Sequence, residues 1–116
     1  MDDCLFCKII KSEIPSKFLH EDDTCIIIKD KFPQSPTHIL IIPKKHIPSL
    51  AHVDVEHKNL LGNCLIAGQL MMDNLGFGKR GYRTVINTGS EGGQSIFHLH
   101  FHFLAGKVLG ESQLIS

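Results

Sequence analysis

Imidazole and apolar side chains alternate along the stretch from Gly92 to Leu104, and this alternation constrains the fold more than any other feature of the chain. His98, His100 and His102 occupy every second position, and Phe or Leu residues stand between and beside them. A period of two is typical of a β-strand, whose successive side chains point to opposite faces of a sheet. We therefore predict a strand with three histidines on one face, about 6.6 Å apart, and a wholly apolar opposite face.

Three functions could use such a row of histidines. An ordinary solvated face is disfavoured, because exposed strand faces use Lys, Glu and Thr rather than three imidazoles. A metal site is the second function, since alternate strand histidines can ligate one ion. The third is phosphoryl or nucleotidyl chemistry, because a neutral imidazole is a nucleophile near pH 7 and its neighbours can donate to phosphate oxygens. The turn from Gly89 to Ser95 offers backbone N–H groups to an anion and favours the third, although spacing alone leaves the metal site open.

The segment from Gln94 to Leu104 resembles the histidine-triad motif, His-φ-His-φ-His-φ-φ with φ apolar, of the histidine-triad (HIT) nucleotide hydrolases. The similarity covers nearly the whole chain, so we expect a single HIT domain over residues 1–116. It is most pronounced with the histidine-triad nucleotide-binding branch, the small purine nucleoside phosphoramidases. The other segments that carry it are Cys4–Ile10, Asp30–Pro33, Pro36–His38, Ile42–Ile47 and Asn87–Gly93.

The resemblance implies a nucleotide hydrolase that attacks the α-phosphorus of a nucleoside phosphoramidate or a related nucleotide ester. A nucleotidyl-histidine forms first and water then releases the nucleoside monophosphate, which divides one difficult displacement into two easier ones. The implied ligand is a purine nucleotide such as AMP or an adenosine phosphoramidate. The alternatives are a dinucleoside polyphosphate hydrolase, a non-catalytic nucleotide-binding or scaffold protein, and a metal-dependent hydrolase.

By the same resemblance, His100 is the nucleophile, His102 contacts the phosphate oxygens, and Ser95 donates to the phosphate or the leaving group. An acceptor must hold one ring nitrogen of His100, and the carbonyl of Gly93 is the first candidate. His102 stands where the nucleotidyltransferase branch usually has Gln, which favours hydrolysis by family analogy. The further predicted contacts are Asn87 at the phosphate, Asp30 at the ribose hydroxyls, Ile28 and Phe32 around the base, and His38 behind the site. The structural alternatives are turn residues for Ser95 and Asn87 and a buried histidine for His38.

Cys4 and Cys7 form a second candidate site, a CxxC pair. Structural thiols, a redox pair and a metal site are all open, although no thioredoxin-like βαβ pattern surrounds the pair. Zinc needs four N or S ligands in a tetrahedron, and His46 and His98 are the natural completions. Some bacterial-type members of the family have this set. The resemblance thus implies a structural zinc held by Cys4, Cys7, His46 and His98, with no metal required for the chemistry.

Apolar patterning along the rest of the chain predicts an α+β domain, a five-stranded antiparallel sheet with one short and one long helix packed on one side. The short helix spans Leu5–Lys11, and the long one begins at an Asp54 cap and ends at Gly76 or Gly78. The predicted strands are Lys17–Glu21, Thr24–Lys29, His38–Pro43, Tyr82–Asn87 and the triad strand. Gly106–Ser116 shows no periodicity. The resemblance implies the same fold and a homodimer in which two sheets join.

Composition bounds the partners. Lys plus Arg number 12 and Asp plus Glu also 12, so no basic excess exists to follow a nucleic acid polymer. We expect no membrane partner and a cytoplasmic location, because no apolar stretch has membrane-spanning length and no signal-peptide pattern is evident. The cysteines are then expected to be thiols or metal ligands rather than disulfides. Cys25 and Cys64 lie in apolar runs and are predicted to be core thiols.

Overall fold

The computed structural model describes residues 3–110 of the chain. Its helices are α1 (Leu5–Ile10) and α2 (Lys58–Asn74), and two 3₁₀ turns, Leu50–His52 and Val55–His57, precede α2. Its strands are β1 (His20–Glu21), β2 (Cys25–Lys29), β3 (Thr37–Pro43), β4 (Arg83–Val85) and β5 (Phe101–Ala105). They form one antiparallel sheet in the order β1-β2-β3-β5-β4. The predicted α+β fold, with a five-stranded antiparallel sheet, one short helix and one long helix, is confirmed.

The sheet carries one helix on each face, and the prediction that both helices pack on one side is wrong. Alternate residues of the central strands divide the core: Ile27 of β2 pairs with Ile41 of β3 on the α2 side, and Ile26 pairs with Ile42 on the α1 side. All four side chains are fully buried. Because these strands are apolar on both faces, each face needs its own cover.

The long helical segment begins at Asp54 as predicted, but its first turn is a 3₁₀ turn. The Asp54 carboxylate accepts from the Glu56 backbone N–H at 2.9 Å, and the Asp54 N–H donates to His57 Nδ1 at 3.1 Å, which completes a capping box. At the other end, Gly76 follows the helix with a φ of +92°. Only glycine adopts this left-handed conformation at no steric cost, so Gly76 ends the helix.

Contact between α2 and β5 depends on Gly68. A Cβ at this position would lie 2.3 Å from Cζ of Phe103, and that ring is buried and stacks on Tyr82, so it has no room to swing away. We predict that Gly68→Ala lowers the free energy of unfolding by about 1–3 kcal/mol. Gly62 in the same helix has nothing within 4 Å of such a Cβ, so Gly62→Ala should raise it by up to about 1 kcal/mol. Urea unfolding of both variants tests this, and a shift of the same sign in both would contradict it.

The triad strand is shorter than predicted. β5 begins at Phe101, so His102 is the only one of the three histidines that lies in it. Pairing with β3 ends at Ile41 and Phe101, because the preceding segment leaves the sheet to follow the chain beyond β3. There the Leu99 backbone N–H donates to the Ile47 carbonyl at 2.7 Å.

The alternation of side chains survives in this irregular segment. Leu99 is buried in the core on the α2 side, whereas His98 and His100 lie on the α1 side, where both rings contact Phe6 edge-on. The predicted histidine face is therefore present. The apolar row is not wholly buried, however, since Phe97 at its start is 48% exposed.

The two edge strands are also shorter than predicted, because each has one neighbour and pairing ends where the chain leaves the sheet. β1 begins at His20 rather than Lys17, and β4 covers only Arg83–Val85. Residues 106–110, where the sequence shows no periodicity, contain no helix or strand, and residues 111–116 lie outside the described part. Cys25 and Cys64 are fully buried free thiols, which confirms their predicted place in the core. In the described residues, neither α1 nor α2 has the length and apolar character that spanning a membrane requires.

Candidate active site and metal centre

Consecutive hydrogen bonds determine the tautomers of two buried histidines, His38 and His102. The Gln34 backbone N–H donates to His38 Nδ1 at 3.1 Å, so neutral His38 carries its proton on Nε2. That N–H donates to His102 Nδ1 at 2.9 Å and lies 3.4 Å from the Asp30 carboxylate. Because His102 Nδ1 accepts, His102 carries its own proton on Nε2.

His102 thus presents a buried N–H donor, and Nε2 has no hydrogen-bond partner within residues 3–110. The residue is 2% exposed. Burial, reinforced by His100 and His38, lowers the pKa of His102 to about 4, so the ring is neutral near pH 7. An unsatisfied buried donor costs about 1–3 kcal/mol, and such groups in native structures call for a ligand or a mechanistic role.

His100 presents the opposite kind of atom. Its Nδ1–H donates to the His98 carbonyl oxygen at 2.7 Å, which leaves the lone pair on Nε2. Burial lowers the pKa of His100 below its usual value, so this ring is also neutral near pH 7. The ring centroids of His100 and His102 are 5.0 Å apart. A ring with a lone pair on Nε2 and a ring with an N–H donor on Nε2 are therefore neighbours.

The acceptor for His100 differs from the predicted one. Gly93 was expected to hold the ring, but the carbonyl of His98 does so. Gly93 instead forms a turn within its own loop. Its N–H donates to Ser90 O at 3.0 Å, and its φ is +84°. The irregular course of the segment before β5 turns the His98 carbonyl toward the following ring, and a regular strand would have committed that carbonyl to a ladder.

The predicted ribose and base contacts lie around the loop after β2. The Asp30 carboxylate faces His38. It also accepts from the Phe32 N–H at 2.8 Å, and this bond holds the loop close to the carboxylate. Ile28 is buried in the apolar cluster on the α1 side, together with Phe6. The Phe32 ring is 82% exposed and available to a flat apolar ligand. Phe6 had no predicted role, although it lies between Cys4 and Cys7, and its ring centroid is 5.0 Å from that of His100.

Ser95 and Asn87 are the two further predicted phosphate contacts. Ser95 is exposed and makes no hydrogen bond to the described residues, and Asn87 is half-buried two residues after β4. The structure therefore does not connect the Ser95 hydroxyl to His100 directly. The roles assigned to Ser95 and Asn87 stay predictions.

Gln94 orders the glycine loop and had no predicted role. Gln94 is 5% exposed, and both the oxygen and the nitrogen of its side-chain amide make hydrogen bonds. Oε1 accepts from the Gly89 N–H at 2.9 Å, and Nε2 donates to Pro48 O at 2.7 Å and to Ile96 O at 3.0 Å. One side chain thus joins the loop, the connection after β3 and the segment before β5. The sequence signal that could have predicted this role is a long polar side chain inside a glycine-rich turn.

Cys4, Cys7, His46 and His98 bring four metal-ligating atoms together, as predicted. The two Sγ and two Nδ1 atoms all lie within 4.8 Å of one another. His98 Nδ1 is 3.3 Å from Cys4 Sγ, 3.6 Å from Cys7 Sγ and 3.1 Å from His46 Nδ1. This group could hold a metal ion, since two sulfur and two nitrogen donors suit a divalent cation with a tetrahedral preference.

Protonation in this group also suits a cation. The Pro43 carbonyl accepts from His98 Nε2–H at 2.8 Å, so the Nδ1 lone pair points into the group. Burial lowers the pKa of His98 to about 4, which keeps the ring in the neutral form that binds metals. Burial and then the neighbouring Cys4 thiol raise the pKa of Cys7. A bound cation removes that penalty, because it stabilises both thiolates.

The buried neutral state of His102 predicts a pH-dependent stability. Its pKa is about 4 in the folded chain against 6.5 for the ordinary group, so the unfolded chain binds the proton more readily. The free energy of unfolding is then highest above about pH 6.5 and falls as the pH drops toward 4. At pH 5 the protonation of this single group in the unfolded chain lowers the free energy of unfolding by about 2 kcal/mol. The titratable groups that face it are His100, His38 and Asp30.

The test is urea unfolding of the wild type and His102→Gln at pH 7 and pH 5. The wild type should lose about 2 kcal/mol more than the variant between these pH values, because Gln does not titrate. Equal losses in both proteins would contradict the assignment.

The described residues thus bring together two neutral histidines and a group that could hold a metal ion, and comparison with known proteins identifies the class of the chain. The chain belongs to the histidine-triad (HIT) family: the family profile described as "Scavenger mRNA decapping enzyme C-term binding" matches residues 3–114. The family resemblance of the sequence is thereby confirmed.

Individual relatives are similar along nearly their whole length. The purine nucleoside phosphoramidase of Escherichia coli is 40% identical over 109 residues, which cover 94% of this chain and 92% of that protein. A HIT-like protein of Synechococcus elongatus is 46% identical over 108 residues, 93% of this chain and 94% of that one. The crystal structure of a HIT family hydrolase from Legionella pneumophila superposes with a TM-score of 0.93 at 42% identity, covering 95% and 98% of the two chains. The chain is thus a hydrolase of the HIT kind.

Proposed function

We propose that this chain hydrolyses purine nucleoside phosphoramidates or related nucleotide esters at the α-phosphate. One observation carries the proposal: His100 has its lone pair on Nε2, and the ring of His102, whose centroid is 5.0 Å away, presents an Nε2–H with no partner in residues 3–110. A phosphate group suits both: its phosphorus is an electrophile for the His100 lone pair, and one of its oxygens can accept from the His102 N–H. The name of the E. coli relative supports this substrate class.

In the first step, His100 Nε2 attacks the α-phosphorus and the bond from phosphorus to the leaving group breaks. The His102 N–H donates to a phosphate oxygen as negative charge develops there. The ring of His100 gains positive charge, and the His98 carbonyl stabilises it by accepting from Nδ1–H at 2.7 Å. Ser95 assists the departure of the amine by donating a hydrogen bond, and the amine takes up a proton from solvent water.

In the second step, water attacks the phosphorus and the bond to His100 breaks, releasing the nucleoside monophosphate. The ligand we propose is AMP or an adenosine phosphoramidate. Asp30 accepts from the ribose hydroxyls, and Ile28 and Phe32 enclose the base. Asn87 and the Gly93 loop contact the phosphate, and His38 maintains the tautomer of His102. We propose no role for a nucleic acid polymer or a membrane.

Zinc is the ion we propose for Cys4, Cys7, His46 and His98. When bound, it supplies the coordination bonds that tie the start of α1 to the segment before β5. The chemistry itself uses no metal, because His100 already carries a free lone pair.

A homodimer is the assembly we propose. The three-residue strand β4 lies at the edge of the sheet, with β5 on one side and no strand of residues 3–110 on the other. Pairing of this edge with a second copy would join two sheets into one and remove an exposed edge. Sedimentation equilibrium at micromolar concentration should give twice the chain mass, and a monomer under those conditions would count against this assembly.

Turnover of an adenosine phosphoramidate beside a diadenosine polyphosphate, with and without a chelator, tests the proposed function. We expect faster release of AMP from the phosphoramidate and an unchanged initial rate on adding the chelator. Faster cleavage of the diadenosine compound would indicate a dinucleoside polyphosphate hydrolase. Binding of AMP without turnover of either would indicate a non-catalytic protein. Immediate loss of turnover with an intact far-UV spectrum would indicate a metal-dependent hydrolase.

A further inference from the structure

A second group of metal-ligating side chains lies at the turn between β1 and β2, away from the CxxC pair. His20, Asp22 and Cys25 each offer one ligand atom, and these atoms all lie within 4.8 Å of one another. We propose that this group binds one divalent transition-metal cation, such as zinc or cobalt. Binding at this site is independent of the proposed hydrolysis.

The turn itself holds the central carboxylate in place. The Asp22 backbone N–H donates to the Cys25 carbonyl at 3.0 Å and closes the turn. Asp22 Oδ1 accepts from the Thr24 N–H at 2.7 Å and from the Cys25 N–H at 2.9 Å. Because Oδ1 already fixes the turn, Oδ2 can serve a cation without loss of these backbone bonds.

The other carboxylate oxygen faces both remaining ligand atoms. Asp22 Oδ2 lies 2.8 Å from His20 Nε2 and 3.9 Å from Cys25 Sγ. Bonds of about 2.0–2.3 Å to a tetrahedral zinc ion would separate such ligand atoms by about 3.3–3.6 Å. The His20 side chain is 39% exposed, so its ring is free to turn by the small amount that this geometry requires.

The donor set suits a transition metal better than calcium or magnesium. Those two ions prefer oxygen ligands, whereas imidazole and thiolate favour zinc and cobalt. On binding, the Cys25 thiol loses its proton to solvent, and neutral His20 carries its proton on Nδ1 so that the Nε2 lone pair reaches the ion. The thiolate and the Asp22 carboxylate then balance the two charges of the cation.

Access is from the side of His20 and Asp22, because Cys25 is fully buried. Both residues line a cavity of about 580 Å³ between the β1–β2 turn and α2, with Asn63 on the opposite wall. Water from this cavity can complete the coordination, as in other sites with three protein ligands. With one protein ligand fewer than the four-ligand group, the site should fill only when metal is added.

The experiment adds metal to the full chain that already holds its first zinc ion. Native mass spectrometry after zinc addition should show one further ion per chain. Cobalt addition should give a sulfur-to-cobalt charge-transfer band, because Cys25 is a ligand. Calorimetric titration with zinc in two buffers of different ionisation enthalpy should show release of about one proton per added ion.

Two variants with the same change in charge separate coordination from general attraction. Asp22→Asn should weaken binding of the added ion by about a hundredfold or more, although its Oδ1 can still accept from the turn. Asp23→Asn should weaken it only a few-fold, because Asp23 lines the cavity but is not among the ligands. His20→Asn, which leaves the net charge unchanged near pH 7, should match Asp22→Asn.

Equal losses of affinity in Asp22→Asn and Asp23→Asn would overturn the proposal, as would unchanged affinity in His20→Asn. Cys25→Ser should lose the cobalt band of the added ion, and if this buried variant does not fold, the three variants on the exposed side of the site decide. If the four-ligand group takes no metal, the total falls from two ions to one. Loss of that one ion in His20→Asn would then still place it at this turn.

Discussion

Replacing His100 with Ala should lower turnover of an adenosine phosphoramidate by about 10⁴-fold or more, while AMP binding weakens only a few-fold. The reason is that the variant has no atom to form the covalent intermediate. The groups proposed to bind the ribose and base, Asp30 and Phe32, lie outside the triad segment. Steady-state kinetics and calorimetric titration with AMP measure the two effects separately.

Ser95→Ala is the matched control for this prediction. It should lower turnover by about 10–100-fold, because it removes only assistance to the leaving group. A His100→Ala enzyme with a near-normal rate would contradict the assignment of the nucleophile. Retained AMP binding excludes unfolding as the cause of any loss.

Replacing Cys7 with Ala should remove the metal and several kcal/mol of stability together. The wild type should carry about one zinc per chain, since all four ligand atoms already converge within 4.8 Å. Structural zinc contributes its binding free energy to folding, and about 10–16 kcal/mol is typical of small zinc peptides. Because this domain has a core of its own, we expect a smaller loss, on the order of 4–5 kcal/mol.

Cys64→Ala is the control that separates metal loss from the loss of a buried thiol. Cys64 is fully buried in the core and is not among the ligands. This variant should keep its zinc and lose only about 1–2 kcal/mol from packing. Elemental analysis and thermal unfolding measure both effects. Absence of zinc from wild-type protein prepared without a chelator would refute the proposed ion.

The fold was predictable wherever the hydrophobic pattern is long and regular. The apolar run at Ile26 and Ile27 predicted a strand, and β2 lies there with a helix on each side. The pattern could not tell which face each helix would cover, because both faces are equally apolar. It also could not locate the start of β5, since the bond from Leu99 to Ile47 that ends the pairing is a backbone contact between distant segments.

The residues of the site were predictable by type and spacing, but the atoms that control them were not. Four metal-ligating side chains converge as predicted. In contrast, the tautomers of His100 and His102 follow from the His98 carbonyl and the Gln34 N–H. Backbone groups are present at every residue and leave no mark on the sequence. The role of Gln94 was hidden for the same reason, because its partners include backbone groups of three separate segments.

The central claim is that His100 Nε2 forms a covalent bond to the α-phosphorus. Rapid mixing of the wild type with an adenosine phosphoramidate, quenching within milliseconds and peptide mass spectrometry test it most directly. We predict an adenylyl group on the peptide that contains residues 98–102, with fragment ions that place it on His100. An adduct on His102, or none at all while AMP accumulates over repeated turnovers, would contradict the account.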